Sequence, residues 1–194
     1  SYKTGLPTDT VFNVKKARGV TFESFQGFLM SPDEKKLLVY NDYEPIYRHS
    51  FKATYYYYDI RRNLVRKLTE NKEKQSVPTF SRDGRMLAYV MDNNIWLAKF
   101  DYDTESQITK DGAFGKIING ATDWVYEEEF GTTCLMDFSA DNRLLAFVRF
   151  DETNVPEYSM QMFKGQLYPT SYTFKYPKAG EANSTVTCNV FDVD

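Results

Sequence analysis

Three stretches align without gaps: Ser31-Pro32-Asp33-Glu34-Lys35-Lys36-Leu37-Leu38-Val39-Tyr40, Ser81-Arg82-Asp83-Gly84-Arg85-Met86-Leu87-Ala88-Tyr89-Val90 and Ser139-Ala140-Asp141-Asn142-Arg143-Leu144-Leu145-Ala146-Phe147-Val148. Each reads Ser-x-Asp, two turn-forming or basic residues, then a short apolar run, and successive serines lie 50 and 58 residues apart. Ser and Asp side chains bond backbone N–H groups a few residues on, which favours a turn. Gly84 and Asn142 tolerate positive φ at equivalent positions, whereas Glu34 does not favour it. The apolar runs have strand length and β-rich composition. Further strand-like segments follow the first two, at Thr54–Ile60 and Asn94–Phe100. Strands and turns recurring at this period suit a β-propeller, whose blades are four-stranded sheets packed radially, and roughly four such units fit the chain. An ordinary β-sandwich with similar hairpins is the competing all-β fold. The Gly-His and Trp-Asp marks of the WD40 propellers are missing, and Asp123-Trp124 has the reverse order.

Composition agrees with a packed β protein. The chain has 194 residues, 42% hydrophobic, with 15 Tyr and 15 Phe, and aromatic residues favour half-buried strands. A charge of −3 from 24 basic and 27 acidic residues argues against non-specific nucleic-acid binding, which needs a basic face. No apolar run approaches the ~20 residues of a membrane-spanning helix. Cys134 and Cys188 are 54 residues apart, which matches no metal-ligand spacing, so each is expected as a buried free thiol, with a disulfide as the alternative. No metal or cofactor is expected. The chain starts without Met and ends in a strand-like stretch, and is expected to be a segment of a longer protein.

Two insertions interrupt the repeat: Tyr43-Glu44-Pro45-Ile46-Tyr47-Arg48-His49-Ser50-Phe51, and Asn119-Gly120-Ala121-Thr122-Asp123-Trp124-Val125-Tyr126-Glu127-Glu128-Glu129-Phe130. Insertions in repeat folds gather where function lies. A run of three Glu is usually a solvated face. Here Trp124, Val125 and Tyr126 precede it and call for burial, which brings the carboxylates close to a packed surface. Gly120, with Thr122 or Asp123 as N-cap, predicts a short helix. Adjacent helical residues lie about 100° apart and can flank one site. Two converging carboxylates suit an ammonium group, since they offer acceptors and charge but no donors. Ca²⁺ is a competitor, although no spaced Asp-rich loop surrounds the run. Arg48 reads either as a structural salt bridge or stacked arginine, or as a forked donor for a carbonyl or carboxylate.

Asp123-Trp124-Val125-Tyr126-Glu127-Glu128-Glu129 resembles the double-glutamate motif of the dipeptidyl peptidase IV family, within the prolyl oligopeptidase group of serine peptidases. Tyr47-Arg48-His49-Ser50 resembles its substrate-contacting arginine segment. Tyr176-Pro177-Lys178-Ala179-Gly180 with Asn183 and Thr185-Val186 resembles a third segment, and the Ser-x-Asp turns match the family's blade turns. Order and approximate spacing agree, so the resemblance covers nearly the whole chain. It implies that residues 1–194 form the N-terminal half of an eight-bladed propeller preceding an α/β-hydrolase domain. It implies release of X-Pro or X-Ala dipeptides from peptides with a free N-terminus. Glu128 and Glu129 would hold the substrate α-ammonium and Arg48 a substrate carbonyl, with Glu127 lacking a direct role. Residues 152–176 would match an arm from the fourth blade that assists homodimerisation; a plain hairpin packed on its own blade is the alternative. Localisation would be periplasmic, cell-surface or secreted.

The resemblance has limits. Phe130-Gly131-Thr132-Thr133-Cys134 does not follow the mammalian enzyme closely. No Gly-x-Ser-x-Gly nucleophile elbow occurs, and the single histidine, His49, lies inside the arginine segment. The catalytic triad is therefore expected outside this chain, on a C-terminal hydrolase domain, leaving the chain by itself inactive. A non-catalytic propeller acting as a binding or scaffold module is the alternative function.

Overall fold

The computed structural model describes residue 5 and residues 9–193. The first blade is a four-stranded antiparallel sheet of β1 (Gly27–Met30), β2 (Lys36–Pro45), β3 (Phe51–Asp59) and β4 (Leu64–Lys67). The second repeats this order with β5 (Gln75–Phe80), β6 (Met86–Met91), β7 (Asn94–Lys99) and β8 (Thr104–Gln107), and the two are joined into one eight-stranded sheet where Lys52 and Ala53 of β3 pair with Ser76 and Gln75 of β5. A third sheet begins with β9 (Ile117–Asn119). It is followed by the helix α1 (Trp124–Phe130), then β10 (Met136–Phe138) and β11 (Leu144–Asp151). An arm of β12 (Glu157–Met162) and β13 (Thr170–Lys175) forms a separate two-stranded sheet. The chain then returns as β14 (Thr185–Asp192), which pairs along the whole of β11. The roughly four units expected from the repeat are thus two blades, a third sheet and the arm. Counted from β1, the arm leaves the third sheet rather than the fourth, because it is spliced between β11 and its partner β14.

The three aligned stretches form the same turn. The Ser31, Ser81 and Ser139 hydroxyls donate to Asp33, Asp83 and Asp141 at 2.7, 2.7 and 2.5 Å. Each hydroxyl in turn accepts from the amide five residues on, at 2.9, 2.9 and 3.0 Å. The fourth residue is left-handed in all three, with φ 57° at Glu34, 67° at Gly84 and 62° at Asn142. The turn geometry therefore overrides the reluctance of Glu34. The turns also stack between blades: Lys36 Nζ donates to the Gly84 carbonyl at 3.0 Å, and the Asp83 amide to Asn142 Oδ1 at 3.3 Å.

Strand alternation explains the apolar runs after the turns. Successive side chains on a strand face opposite ways. Leu87, Tyr89 and Met91 pack against Leu38 and Tyr55 of the first blade. Ala88 and Val90 turn the other way, against Met136, Phe138, Leu145 and Phe147 of the third sheet. Blade two is therefore buried on both faces and reads as continuously apolar. Blade one is covered on its outer face too, where Leu37, Val39, Tyr58 and Val65 meet Phe12, Val20 and Phe22. The third sheet leaves Leu144, Val186 and Val190 exposed on strands β11 and β14.

This topology gives each sheet two ends. The Ser-x-Asp turns sit at one end. The loop between β2 and β3, and the segment joining β9 to β10, both lie at the other. The two insertions found in the sequence therefore share an end of the structure, although 80 residues separate Arg48 from Glu128.

Candidate functional site

The helix that carries the acidic run has seven residues, too short to persist alone in water. It is fixed at both ends and along one side. Asp123 is the N-cap and accepts from the Tyr126 amide at 3.0 Å, as one of the two expected caps. Its second oxygen accepts from the Ser184 hydroxyl at 2.6 Å. Gly131 closes the other end at φ 66°, with its amide donating to the Glu127 carbonyl at 3.1 Å. The Trp124 ring lies 4.5 Å from that of Tyr176, and Tyr126 meets Phe150 edge-on at 4.8 Å.

The arginine loop reaches this helix at the tip of the β2–β3 hairpin. A register shift between Asn41 and Glu44, with Asp42 at φ 54°, bulges β2 and bends the distal part of the hairpin out of the blade. The loop closes on itself through the Ile46 amide to the Ser50 carbonyl at 2.9 Å. Arg48 Nε then donates to Glu128 Oε1 at 3.0 Å, joining an exposed arginine to a largely covered carboxylate. The three expected residues occupy one neighbourhood. Arg48 and Glu128 are in direct contact, while Glu129, the next residue on the helix, is exposed and unpaired among the described residues. Two carboxylates and one guanidinium leave a formal excess of one negative charge among these three side chains.

Three participants escaped sequence reading. Glu127 is fully buried, and its Oε1 accepts from the His49 and Ser50 amides at 2.6 and 2.9 Å. The signal was its spacing: Glu127 lies four residues after Asp123 and so shares the inward helix face. Tyr172, on the arm, donates to the Ile46 carbonyl at 3.1 Å. Phe174 packs its ring 5.9 Å from Tyr47. The arm is therefore more than a hairpin on its own blade, since its root braces the arginine loop. At the arm's tip Phe163, Leu167 and Tyr168 are exposed.

Beneath the helix lies Glu152, buried and pushed from its ordinary 4.5 up to about 7, first by burial and then by the Asp123 charge, with Lys175 opposing. Burial and the same carboxylates also push the Tyr47 phenol up. No group of three or more His, Cys, Asp or Glu among the described residues is arranged to hold a metal ion. Both cysteines are free thiols, but neither is buried as expected: Cys134 is half-buried, and Cys188 is exposed because it shares the uncovered face of β14 with Val186 and Val190.

Comparison with known proteins settles the family. The profile of the dipeptidyl peptidase IV (DPP IV) N-terminal region matches residues 31–194. The chain belongs to the dipeptidyl peptidase IV family. Dipeptidyl peptidase 4 of Porphyromonas gingivalis superposes on 99% of the chain with a TM-score of 0.94 and 54% identity, the match covering 27% of that chain. A probable dipeptidyl-aminopeptidase B of Talaromyces marneffei is 37% identical over 179 residues, 84% of this chain and 20% of the fungal one. The human prolyl endopeptidase FAP is 31% identical over 188 residues, 96% of this chain and 25% of the human one. The chain thus spans about a fifth to a quarter of the curated relatives it matches. The family's N-terminal region accounts for the open all-β propeller arrangement and the one short helix among the described residues.

Proposed function

We propose that this chain is the substrate-recognition portion of a serine dipeptidyl peptidase that releases X-Pro or X-Ala dipeptides from free peptide N-termini. The observation that carries the reading is the convergence of Arg48 on Glu128, across 80 residues of sequence, at the end of the propeller. Glu128 and Glu129 receive the α-ammonium. Arg48, already anchored by Glu128, presents its remaining guanidinium donors to a substrate carbonyl. Enclosure by a second domain strengthens these charge contacts by removing water. Holding the N-terminus then acts as a ruler: only the bond two residues in reaches the nucleophile, so the propeller contributes orientation. The Ser/Asp/His triad belongs to a C-terminal hydrolase domain. The arm at 152–176 supports a homodimer, and the working location is periplasmic, cell-surface or secreted.

The test uses the full-length enzyme and a Gly-Pro-anilide substrate. Removing one partner of a desolvated charge pair is strongly destabilising, so Glu128→Ala and Glu129→Ala should each lower kcat/KM by about 100-fold or more. Near-wild-type rates in both variants would remove the ammonium assignment.

A further inference from the structure

We propose that Glu127, the member of the acidic run that faces away from solvent, is the positioning residue for Arg48. The proposal rests on the reading of Arg48 as a substrate contact. Arg48 is exposed over most of its side chain, so packing does not hold it; its place is set by its backbone and by Glu128. That backbone lies in a loop projecting beyond the blade at a hairpin tip. The two residues after Arg48 present successive amides, His49 N–H and Ser50 N–H, and both converge on Glu127 Oε1. Consecutive N–H groups curled around one anionic oxygen form a nest, an arrangement with a strong preference for negative charge.

The carboxylate is the buried partner of this pair, with no exposed surface, and its other oxygen has no hydrogen-bond partner among the described residues. A charge so enclosed depends heavily on the two amides, and the amides have no alternative acceptor in the described structure. One helical turn therefore holds the loop twice: Glu127 grips the backbone, and Glu128, about 100° round the helix, orients the guanidinium. Tyr172 adds a third, outer hold at Ile46. Removing Glu127 leaves Arg48 chemically intact but without a fixed origin.

The experiment is a double-variant cycle in the full-length enzyme with Gly-Pro-anilide, on folded protein verified by thermal melting. Glu127→Ala should lower kcat/KM about tenfold or more, mainly through KM, and Arg48→Ala should do likewise. In the Arg48→Ala background, Glu127→Ala should add almost nothing, because there is no guanidinium left to position. Glu127→Gln keeps an oxygen in reach of both amides and should stay within about threefold of wild type. Losses that multiply in the double variant, wild-type activity in Glu127→Ala, or wild-type activity in Arg48→Ala would each overturn the proposal. Should Glu127→Ala fail to fold, the order of two milder variants decides. Glu127→Asp, charged but withdrawn, must lose more activity than Glu127→Gln, and the reverse order contradicts positioning. Glu128→Ala and Glu129→Ala run alongside: full activity there sinks the ammonium reading while leaving the Glu127–Arg48 cycle to stand or fall by itself.

Discussion

Glu152 illustrates how a single buried group couples the site to pH. Burial and the neighbouring Asp123 carboxylate hold it protonated up to about 7, against an ordinary 4.5, with Lys175 and the Gly115 backbone opposing and Tyr47 nearby. The folded state therefore binds a proton that the unfolded chain has released across this window. The contribution of Glu152 to stability falls as pH rises from about 4.5 to about 7 and levels off above it. Glu152→Gln is expected to remove that fall, so its melting temperature should drop less than wild type between pH 5 and 8. Parallel melting curves for the two proteins would show that Glu152 ionises normally. At this scale the sequence was uneven in what it disclosed. Arg48, Glu128 and Glu129 could be singled out from their motifs, and the structure places them in one neighbourhood. Glu127 could not, since burial of one glutamate among three depends on which helix face meets the arginine loop, a contact spanning 78 residues.

Among the elements, the hairpins, the Ser-x-Asp turns and the capped helix follow from local chemistry and were readable. The bulge at Asp42, which aims the arginine loop, carries no local signature beyond a turn-tolerant residue. The pairing of β11 with β14 was also hidden, because the arm intervenes between them in sequence. Residues 152–176 could be read as an aromatic-rich hairpin, but not as a brace for the loop. The arm's two ends make different predictions. At the root, Tyr158, Phe174 and Tyr176 form a cluster with Trp124 and fix the arm to the helix. At the tip, Leu167 and Tyr168 are 84% and 79% exposed, large apolar groups that gain by burial against a partner. In the proposed homodimer, replacing Phe163, Leu167 and Tyr168 together by Ser should yield a monomer in sedimentation velocity of the full-length protein without lowering its melting temperature. An unchanged dimer would place self-association elsewhere.

For the molecule as a whole, the 50-residue period announced radially packed sheets, and alternate residues of each central strand fill the interfaces on its two sides. What the period could not show is which faces stay uncovered. Val190 is 61% exposed on β14 and Leu144 is 40% exposed on β11, whereas the equivalent central strand of blade two is buried on both faces. A chain of residues 1–194 alone should therefore self-associate through this face. Sedimentation should show concentration-dependent species, and a monodisperse monomer with a cooperative melt would contradict this. The proposed function divides the labour: the propeller would select the N-terminus and another domain would supply the nucleophile.

The most direct test of that central claim compares two substrates on the full-length enzyme, Gly-Pro-anilide and its N-acetylated counterpart. Acetylation removes the ammonium charge and leaves the scissile bond unchanged. In the wild type kcat/KM should fall by about 100-fold or more on acetylation, and the penalty should largely disappear when Glu128 and Glu129 are both replaced by Ala. Equal rates on the two substrates in the wild type would contradict the claim.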